Sequence, residues 1–242
     1  MITIDFNFLN IKPGYQILDM GCGEGRHTAS AQEQEKVFCV GADMDHNTLL
    51  TAREKIKLHK AFITGRGSKW SLATADITNL AFKTDGFDVV ICSEVMEHIH
   101  EQEKALSELT RVLKPTGTLA ITVPRFWPEK ICWLLSDDYC NANQGHVRIY
   151  EKSEIISKVE QKGLRFIKSH YAHSLHSPFW WLKCLVGPDR TDSFAVNLYH
   201  RFLVWDLMKK PFITKFLEKL LNPLMGKSLV LYFKFLYPES HT

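Results

Sequence analysis

The feature that most constrains this chain is Ile17-Leu18-Asp19-Met20-Gly21-Cys22-Gly23-Glu24-Gly25-Arg26. An apolar run ending in Gly-x-Gly-x-Gly predicts a buried strand that turns tightly into a helix. A ligand would lie there against bare backbone, where a Cβ would block its approach. Charge narrows the ligand. Asp19 precedes the glycines and Glu24 stands among them, so a pyrophosphate seated on the helix N-terminus would be repelled. A ligand carrying an ammonium and a sulfonium would be attracted. Asp43-Met44-Asp45 follows about twenty residues later, the spacing at which a carboxylate meets ribose hydroxyls.

Short apolar runs continue along the chain. Gln16–Met20, Val37–Ala42, Leu72–Ala75, Phe87–Cys92 and Thr118–Val123 read as strands buried on both faces. Helical patterns fall between them at Arg26–Glu33, Thr48–Leu58 and Glu103–Leu113, the last stopped by Lys114-Pro115-Thr116-Gly117. A sixth unit follows, helix Ser153–Lys162 and strand Leu164–Ser169, and Ser228–Phe235 reads as a final strand. The expected fold class is α/β: a doubly wound, seven-strand, mostly parallel sheet. Its last strand is expected to be antiparallel, at or near the edge. Two insertions leave the sheet beyond strand C-terminal ends, Arg125–Tyr150 and about His170–Lys227. The organisation expected is a ligand-binding domain of residues 1–169 plus 228–242, with residues 170–227 as a helical cap.

Five segments in this order resemble the class I, Rossmann-like S-adenosylmethionine-dependent methyltransferases of the type 11 group. They are Leu18–Gly25, Val40-Gly41-Ala42-Asp43, Thr74-Ala75-Asp76-Ile77, Phe87–His98 and Leu113–Leu119. The resemblance implies S-adenosylmethionine as cofactor, leaving as S-adenosylhomocysteine. It implies that Asp19 and the turn Gly21, Cys22, Gly23 and Gly25 hold the methionine ammonium and the backbone side of the cofactor. Asp43, with Met44 beside it, would take the ribose; capping of the next helix is the competing role for Asp43, and Asp45 suits that better. Asp76 would accept from the adenine amino group, with Ala75 and Ile77 against the ring. Cys92 and Ser93 would turn their carbonyls toward the sulfonium.

Methyl transfer from a sulfonium needs alignment, exclusion of water and removal of a proton from a neutral acceptor. The candidate base is His146, in Gly145-His146-Val147-Arg148; pinning its own loop is the alternative. Glu94, Glu97 and His98 read mainly as stabilisers of the turn after the fourth strand, with His98 also a candidate for acceptor contact. His170, His173 and His176 form an H-x-x-H-x-x-H run. No metal is expected on it, because no Cys or acidic partner lies nearby in sequence. Tyr171, His173, His176 and Trp180 are expected to line the acceptor mouth.

The second insertion is aromatic. Residues 175–237 hold 13 of the chain's 28 Phe, Tyr and Trp, which suits a lid whose apolar inner wall accepts a large hydrophobic acceptor; an ordinary cap packing its own core over the sheet is the plainer reading. Lys209–Leu221 reads as an amphipathic helix in which Phe212, Ile213, Phe216, Leu217, Leu220 and Leu221 share a face and Lys209, Lys210, Lys215 and Lys219 lie elsewhere. A homodimer face or peripheral contact with a membrane would use the same residues. Net charge is +3 overall but +6 over residues 160–242, too little for nucleic acid. The D/N-P-P-Y/F segment of base-modifying enzymes is replaced by Ser93-Glu94-Val95-Met96. The expected function is methyl transfer to a small lipophilic molecule such as a quinone, isoprenoid, lipid or polyketide precursor. The alternative is a non-catalytic cofactor-binding or dimerisation subunit. An NAD-linked reductase would require the glycine turn to hold a dinucleotide. Six scattered cysteines read as buried free thiols. With no signal peptide or spanning segment recognisable, the expected location is cytoplasmic, or peripheral at the membrane.

Overall fold

The computed structural model describes residues 1–61, 66–141, 146–209 and 211–235. Gly145, Lys210 and residues 236–242 of the expected domain, Tyr237 included, lie outside the described residues, as does the side chain of Cys140. Seven strands form one sheet in the order β3-β2-β1-β4-β5-β7-β6. They are β1 Gln16–Met20, β2 Phe38–Asp43, β3 Lys69–Thr74, β4 Phe87–Ser93, β5 Leu113–Pro124, β6 Leu164–Ala172 and β7 Ser228–Phe235. β7 runs antiparallel to both its neighbours, β5 and β6. It sits one place in from the edge, and β6 is the outer strand.

The sheet's middle is dry because its strands are apolar on both faces. Leu18, Val90, Leu119 and Leu231 pack on one side against Leu106, Leu109, Ile155 and Val159, which belong to α3 Gln102–Val112 and α6 Lys152–Glu160. Ile17, Val89, Ile91, Ala120 and Val230 pack on the other side with Ala31, Ile4 and Leu9, where α1 Arg26–Ala31 lies. The order of connection reverses between β1 and β4, so a crevice opens beyond the C-terminal ends of β1, β2 and β4, the usual ligand position in such sheets.

Local differences from expectation have local causes. Lys114-Pro115-Thr116-Gly117 does not end before the strand. Leu113 already pairs with Phe87, and pairing resumes at Val89 with Thr118, so the four residues form an irregularity inside β5. Gly117 is held close to the Asp88 carbonyl there; a Cβ would stand 3.0 Å from that oxygen. The insertion after β5 carries α4 Phe126–Leu135 and α5 Asp137–Asn141, and α2 covers His46–Ala61. Between β6 and β7 lie α7 His176–Val186, α8 Phe194–Lys209 and α9 Phe212–Met225. No helix among the described residues is long and apolar enough to cross a membrane.

Candidate active site

The glycine turn is locked by its own backbone. Gly21 and Cys22 both donate to the Ala42 carbonyl, at 2.7 and 2.9 Å. Gly21 has φ +71°, and a Cβ on it would sit 2.2 Å from Val95 Cγ2. Gly23, at φ +51°, has nothing within 4 Å of its Cβ position, which is the open cradle a ligand backbone needs. Gly25 caps α1. Behind the turn, Asp19 is 1% exposed. Its Oδ2 accepts from Thr28 N at 2.9 Å and Thr28 Oγ1 at 2.7 Å, whereas Oδ1 has no hydrogen-bond partner among the described residues. Burial pushes this carboxyl up to about 6 against the pull of the Thr28 hydrogen bonds. A cation beside Oδ1 would satisfy it. Glu24, which the sequence argument counted with Asp19, instead pairs with Lys55 of α2 at the surface. The negative field at the turn therefore comes from Asp19 and Asp43.

Asp43 ends β2. Its Oδ2 accepts from Gly23 N at 2.8 Å and its Oδ1 from Asp45 N at 3.0 Å, leaving each oxygen a lone pair for a diol. Capping falls to Asp45, which accepts from Asn47 N at 2.9 Å and from the Thr48 hydroxyl at the start of α2. Met44 is 74% exposed beside it. Ala75 N donates to the Asp43 carbonyl at 3.0 Å, which draws the loop after β3 onto β2. Asp76 is exposed, and its Oδ1 is taken by Thr78 N and Oγ1, both at 2.8 Å. Ile77 is buried under it.

At the end of β4, Cys92 is wholly buried and its thiol pushed up by that burial. Ser93 Oγ lies 2.9 Å from Thr122 Oγ1 and 3.4 Å from Arg26 Nη2. Arg26 thus reaches from α1 across the glycine turn to β4. The sequence reading missed it, although its place directly after Gly25 was the available signal. Glu94 holds φ +56°, an uncommon conformation for a residue with a Cβ. Thr122 fixes it twice: its carbonyl accepts from Glu94 N at 3.0 Å, and its hydroxyl donates to Glu94 Oε1 at 2.9 Å.

Three distant segments meet around His146. His146 Nδ1 lies 2.7 Å from Glu129 Oε1 of α4, and Lys227 Nζ lies 3.3 Å from Glu129 Oε2. Glu129 is 1% exposed. Burial pushes its carboxyl up, but the hydrogen bond from His146, the Lys227 charge and a Tyr139 hydroxyl outweigh it and leave it at about 2. An ionised Glu129 is placed to accept a hydrogen bond from His146 Nδ1–H. His98 stacks edge-on against His146 with centroids 4.9 Å apart, and Tyr139 bridges His146 to Trp180. Glu97 is fully buried; burial first, then Glu94 and Glu129 nearby, raise its carboxyl well above the usual range. Its backbone carbonyl accepts from Val147 N at 3.0 Å.

The residues expected at the acceptor mouth divide between two places. His98 and Trp180 stand with His146. Tyr171 lies under the Arg125 guanidinium, 3.8 Å from its ring centre. His173 meets Thr3 Oγ1 at 3.2 Å, and together with Glu218 it borders a separate cavity of about 610 Å³ beside α1. His176 opens α7. Burial lowers His173 to about 3 and His176 to about 4. The histidine run is not one helix face: His170 stacks on Tyr232 within the sheet, His173 is in a turn at φ +65°, and only His176 is helical. An acidic neighbour does exist in space, Glu218 from α9.

α9 is pinned at its C-terminal end. Ser174 N donates to Asn222 Oδ1 at 3.0 Å, Ser177 Oγ to the Met225 carbonyl at 2.7 Å, and Arg125 Nη2 to the Pro223 carbonyl at 3.0 Å. The expected inner apolar wall is therefore an outer one: Phe212, Ile213, Phe216 and Leu220 are exposed, and Thr214 is the buried residue. Phe194, Leu198, Trp205 and Met208 of α8 are exposed as well.

This sheet order, reversal point and glycine turn define the class I, Rossmann-like methyltransferase fold. Two solved structures share it. An S-adenosylmethionine-dependent methyltransferase from Methanosarcina mazei superposes with TM-score 0.62 at 12% identity, covering 97% of this chain and 99% of its own. A putative methyltransferase from Bacillus halodurans C-125 gives 0.61 at 16%, covering 94% and 95%. A family model described as a methyltransferase domain matches residues 18–121. Methyltransferase GfsG of Streptomyces halstedii is 31% identical over 113 residues, 47% of this chain and 39% of that protein. An O-methyltransferase of Pyrenophora dematioidea is 33% identical over 116 residues, 48% and 41%. A sterol 24-C-methyltransferase of Gibberella zeae is 27% identical over 141 residues, 58% and 33%. The chain thus spans less than half the length of these curated relatives. That family model covers less than half of the chain, and together with the shared fold it implies S-adenosylmethionine as cofactor. The crevice fits that cofactor: Asp19 Oδ1 awaits a cation, Gly23 leaves an open cradle, and Asp43 keeps lone pairs for a diol.

Proposed function

We propose that this chain transfers a methyl group from S-adenosylmethionine to a small lipophilic acceptor whose reacting atom lies beside His146. The observation that carries the reading is the pairing of a cation-seeking glycine turn with an imidazole held by a buried, ionised carboxylate. Asp19 and the Gly21–Gly25 turn would hold the methionine ammonium, with Arg26 placed to meet its carboxylate. Asp43 would take the ribose; Met44, Ala75, Asp76 and Ile77 would hold the adenine; and the Cys92 and Ser93 backbone would face the sulfonium. The bound cofactor supplies an electrophilic methyl group on a good leaving group. The protein's part is to align the acceptor, exclude water and accept a proton at His146 Nε2. His98 and Trp180, with Tyr139 between Trp180 and His146, offer an aromatic wall for the acceptor.

The exposed apolar side chains of α8 and α9 support a lipophilic acceptor in a second way. An amphipathic helix whose apolar face is outward and whose flanks carry Lys215 and Lys219 suits the surface of a membrane in which such an acceptor dissolves. A second copy of the chain covering the same face is the competing partner.

The test is incubation of the protein with methyl-labelled cofactor and lipid-soluble metabolite extracts, read by mass spectrometry for products heavier by one CH₂. Labelled lipophilic products that disappear in the Asp43→Ala variant support the proposal. Labelling confined to polar metabolites refutes the acceptor class. Cofactor binding without any labelled product supports the non-catalytic subunit instead.

A further inference from the structure

We propose that Glu97, His98 and His146 form a site for a divalent transition-metal ion of the zinc or cobalt(II) kind, with open positions facing the acceptor. One ligand atom from each of the three lies within 4.8 Å of the others. Tetrahedral ligation at about 2.0–2.2 Å separates ligand atoms by roughly 3.3–3.5 Å, so side-chain rotations of about an ångström close the site. The backbone already fixes the two segments against each other, through Val147 N and the Glu97 carbonyl at 3.0 Å.

Two further observations point to a cation. The Glu97 side chain is 1% exposed, and neither of its carboxylate oxygens has a hydrogen-bond partner among the described residues. A buried carboxylate left in that state is costly unless a cation meets it. Lys227, the cation facing this region, is engaged by Glu129 at 3.3 Å. The second observation is the bond behind His146. Proteins orient metal-ligating histidines by holding one imidazole nitrogen with a carboxylate, and Glu129 Oε1 lies 2.7 Å from His146 Nδ1.

Two imidazoles and one carboxylate suit zinc, cobalt(II), iron(II) or manganese(II), whereas calcium and magnesium need more oxygen ligands. Three protein ligands leave coordination positions open, as in catalytic rather than structural sites. The role that follows rests on the methyl-transfer reading: the ion would hold and polarise an oxygen of the acceptor, so the acceptor class narrows to lipophilic molecules bearing a hydroxyl, enol or carboxyl oxygen. His146 would then act through the ion rather than on the proton directly. His173, His176 and Glu218 also approach within 4.8 Å of one another, but the Nε2 of His173 is already met by Thr3, and the Nδ1 of His176 has no hydrogen-bond partner behind it among the described residues.

The experiment titrates cobalt(II) into tag-free, chelator-stripped protein and follows the visible absorption of the bound ion. Adenosylhomocysteine calorimetry on every variant checks that the crevice is intact. One equivalent should bind. Glu129→Gln should weaken binding about 10–100-fold, Glu97→Gln and His146→Ala should weaken it further, and His176→Ala should leave it unchanged. The half-exposed His98→Asn serves in place of any variant that fails to fold. Absence of stoichiometric cobalt binding, or binding that survives in Glu97→Gln and His98→Asn, overturns the site, as does loss in His176→Ala alone. Cobalt binding that persists in a protein with no affinity for adenosylhomocysteine leaves the site standing and removes the methyl-transfer reading instead.

Discussion

Asp19 should make the unliganded protein less stable as the pH rises toward neutrality. Its carboxyl is shifted from 3.8 to about 6, because burial opposes ionisation and outweighs the Thr28 hydrogen bonds. A shift of about 2 units corresponds to roughly 3 kcal/mol between the two protonation states. The group is fully buried, so solvent screening does not reduce that figure. The folded state holds the proton more tightly than the unfolded state. The stabilising contribution is therefore complete below about pH 4 and is lost as pH rises through about 6, with roughly half of it lost between pH 5 and pH 7. The assay is urea unfolding of the wild type and Asp19→Asn across that range. Other buried groups titrate in both, so the difference between the two isolates Asp19. It should fall by about 1–2 kcal/mol from pH 5 to pH 7. An ammonium placed at Oδ1 favours the ionised form, so adenosylhomocysteine affinity should rise with pH up to about tenfold per unit below pH 6 and then level off. A pH-independent difference in stability would refute the burial argument. A flat affinity profile in the wild type would refute the ammonium contact.

Other perturbations separate the remaining roles. Gly21→Ala puts a Cβ 2.2 Å from Val95 Cγ2 at φ +71°; chemical denaturation should show a loss of about 2–4 kcal/mol from left-handed strain and overpacking. Asp43→Ala removes the acceptor for Gly23 N and the proposed acceptor for the ribose, and calorimetry should show adenosylhomocysteine binding weakened at least about tenfold; unchanged affinity rules the ribose contact out. His146→Ala should lower turnover on an identified acceptor while leaving cofactor affinity intact, and full activity would remove His146 from the reaction. Phe216→Ser with Leu220→Ser alters two exposed positions of α9. Stability should change by under about 1 kcal/mol, while co-sedimentation with anionic vesicles falls; loss of a dimer in sedimentation, with vesicle binding unchanged, identifies a second copy as the partner.

The strands and the glycine turn were legible in the chain because each is a local matter. β1 and β7 fall on the expected residues since apolar runs bounded by Gly, Asp or Ser have few other ways to be buried. Asp45 was recognisable as a cap because its partners, Asn47 and Thr48, are its near neighbours. α4 and α7 were not recognised, and each has an apolar pattern without a flanking polar cap to mark its start.

Tertiary structure decided the rest. The amphipathic pattern of α9 was visible in sequence, yet its direction was not: Ser174, Ser177 and Arg125 hold its C-terminal end, Thr214 is buried, and Phe212 and Phe216 are outward. Glu129, Lys227 and Tyr139 gave no signal because each comes from a different segment, and nothing in their spacing records that a buried carboxylate joins them to His146. Glu97 read as a turn residue until burial left its carboxylate without a partner among the described residues. A sequence carries torsional and periodic preferences from residue to neighbouring residue, so it determined the elements and the turn. Charge compensation and solvent exclusion depend on which distant groups share one small volume, and only the folded chain fixed that.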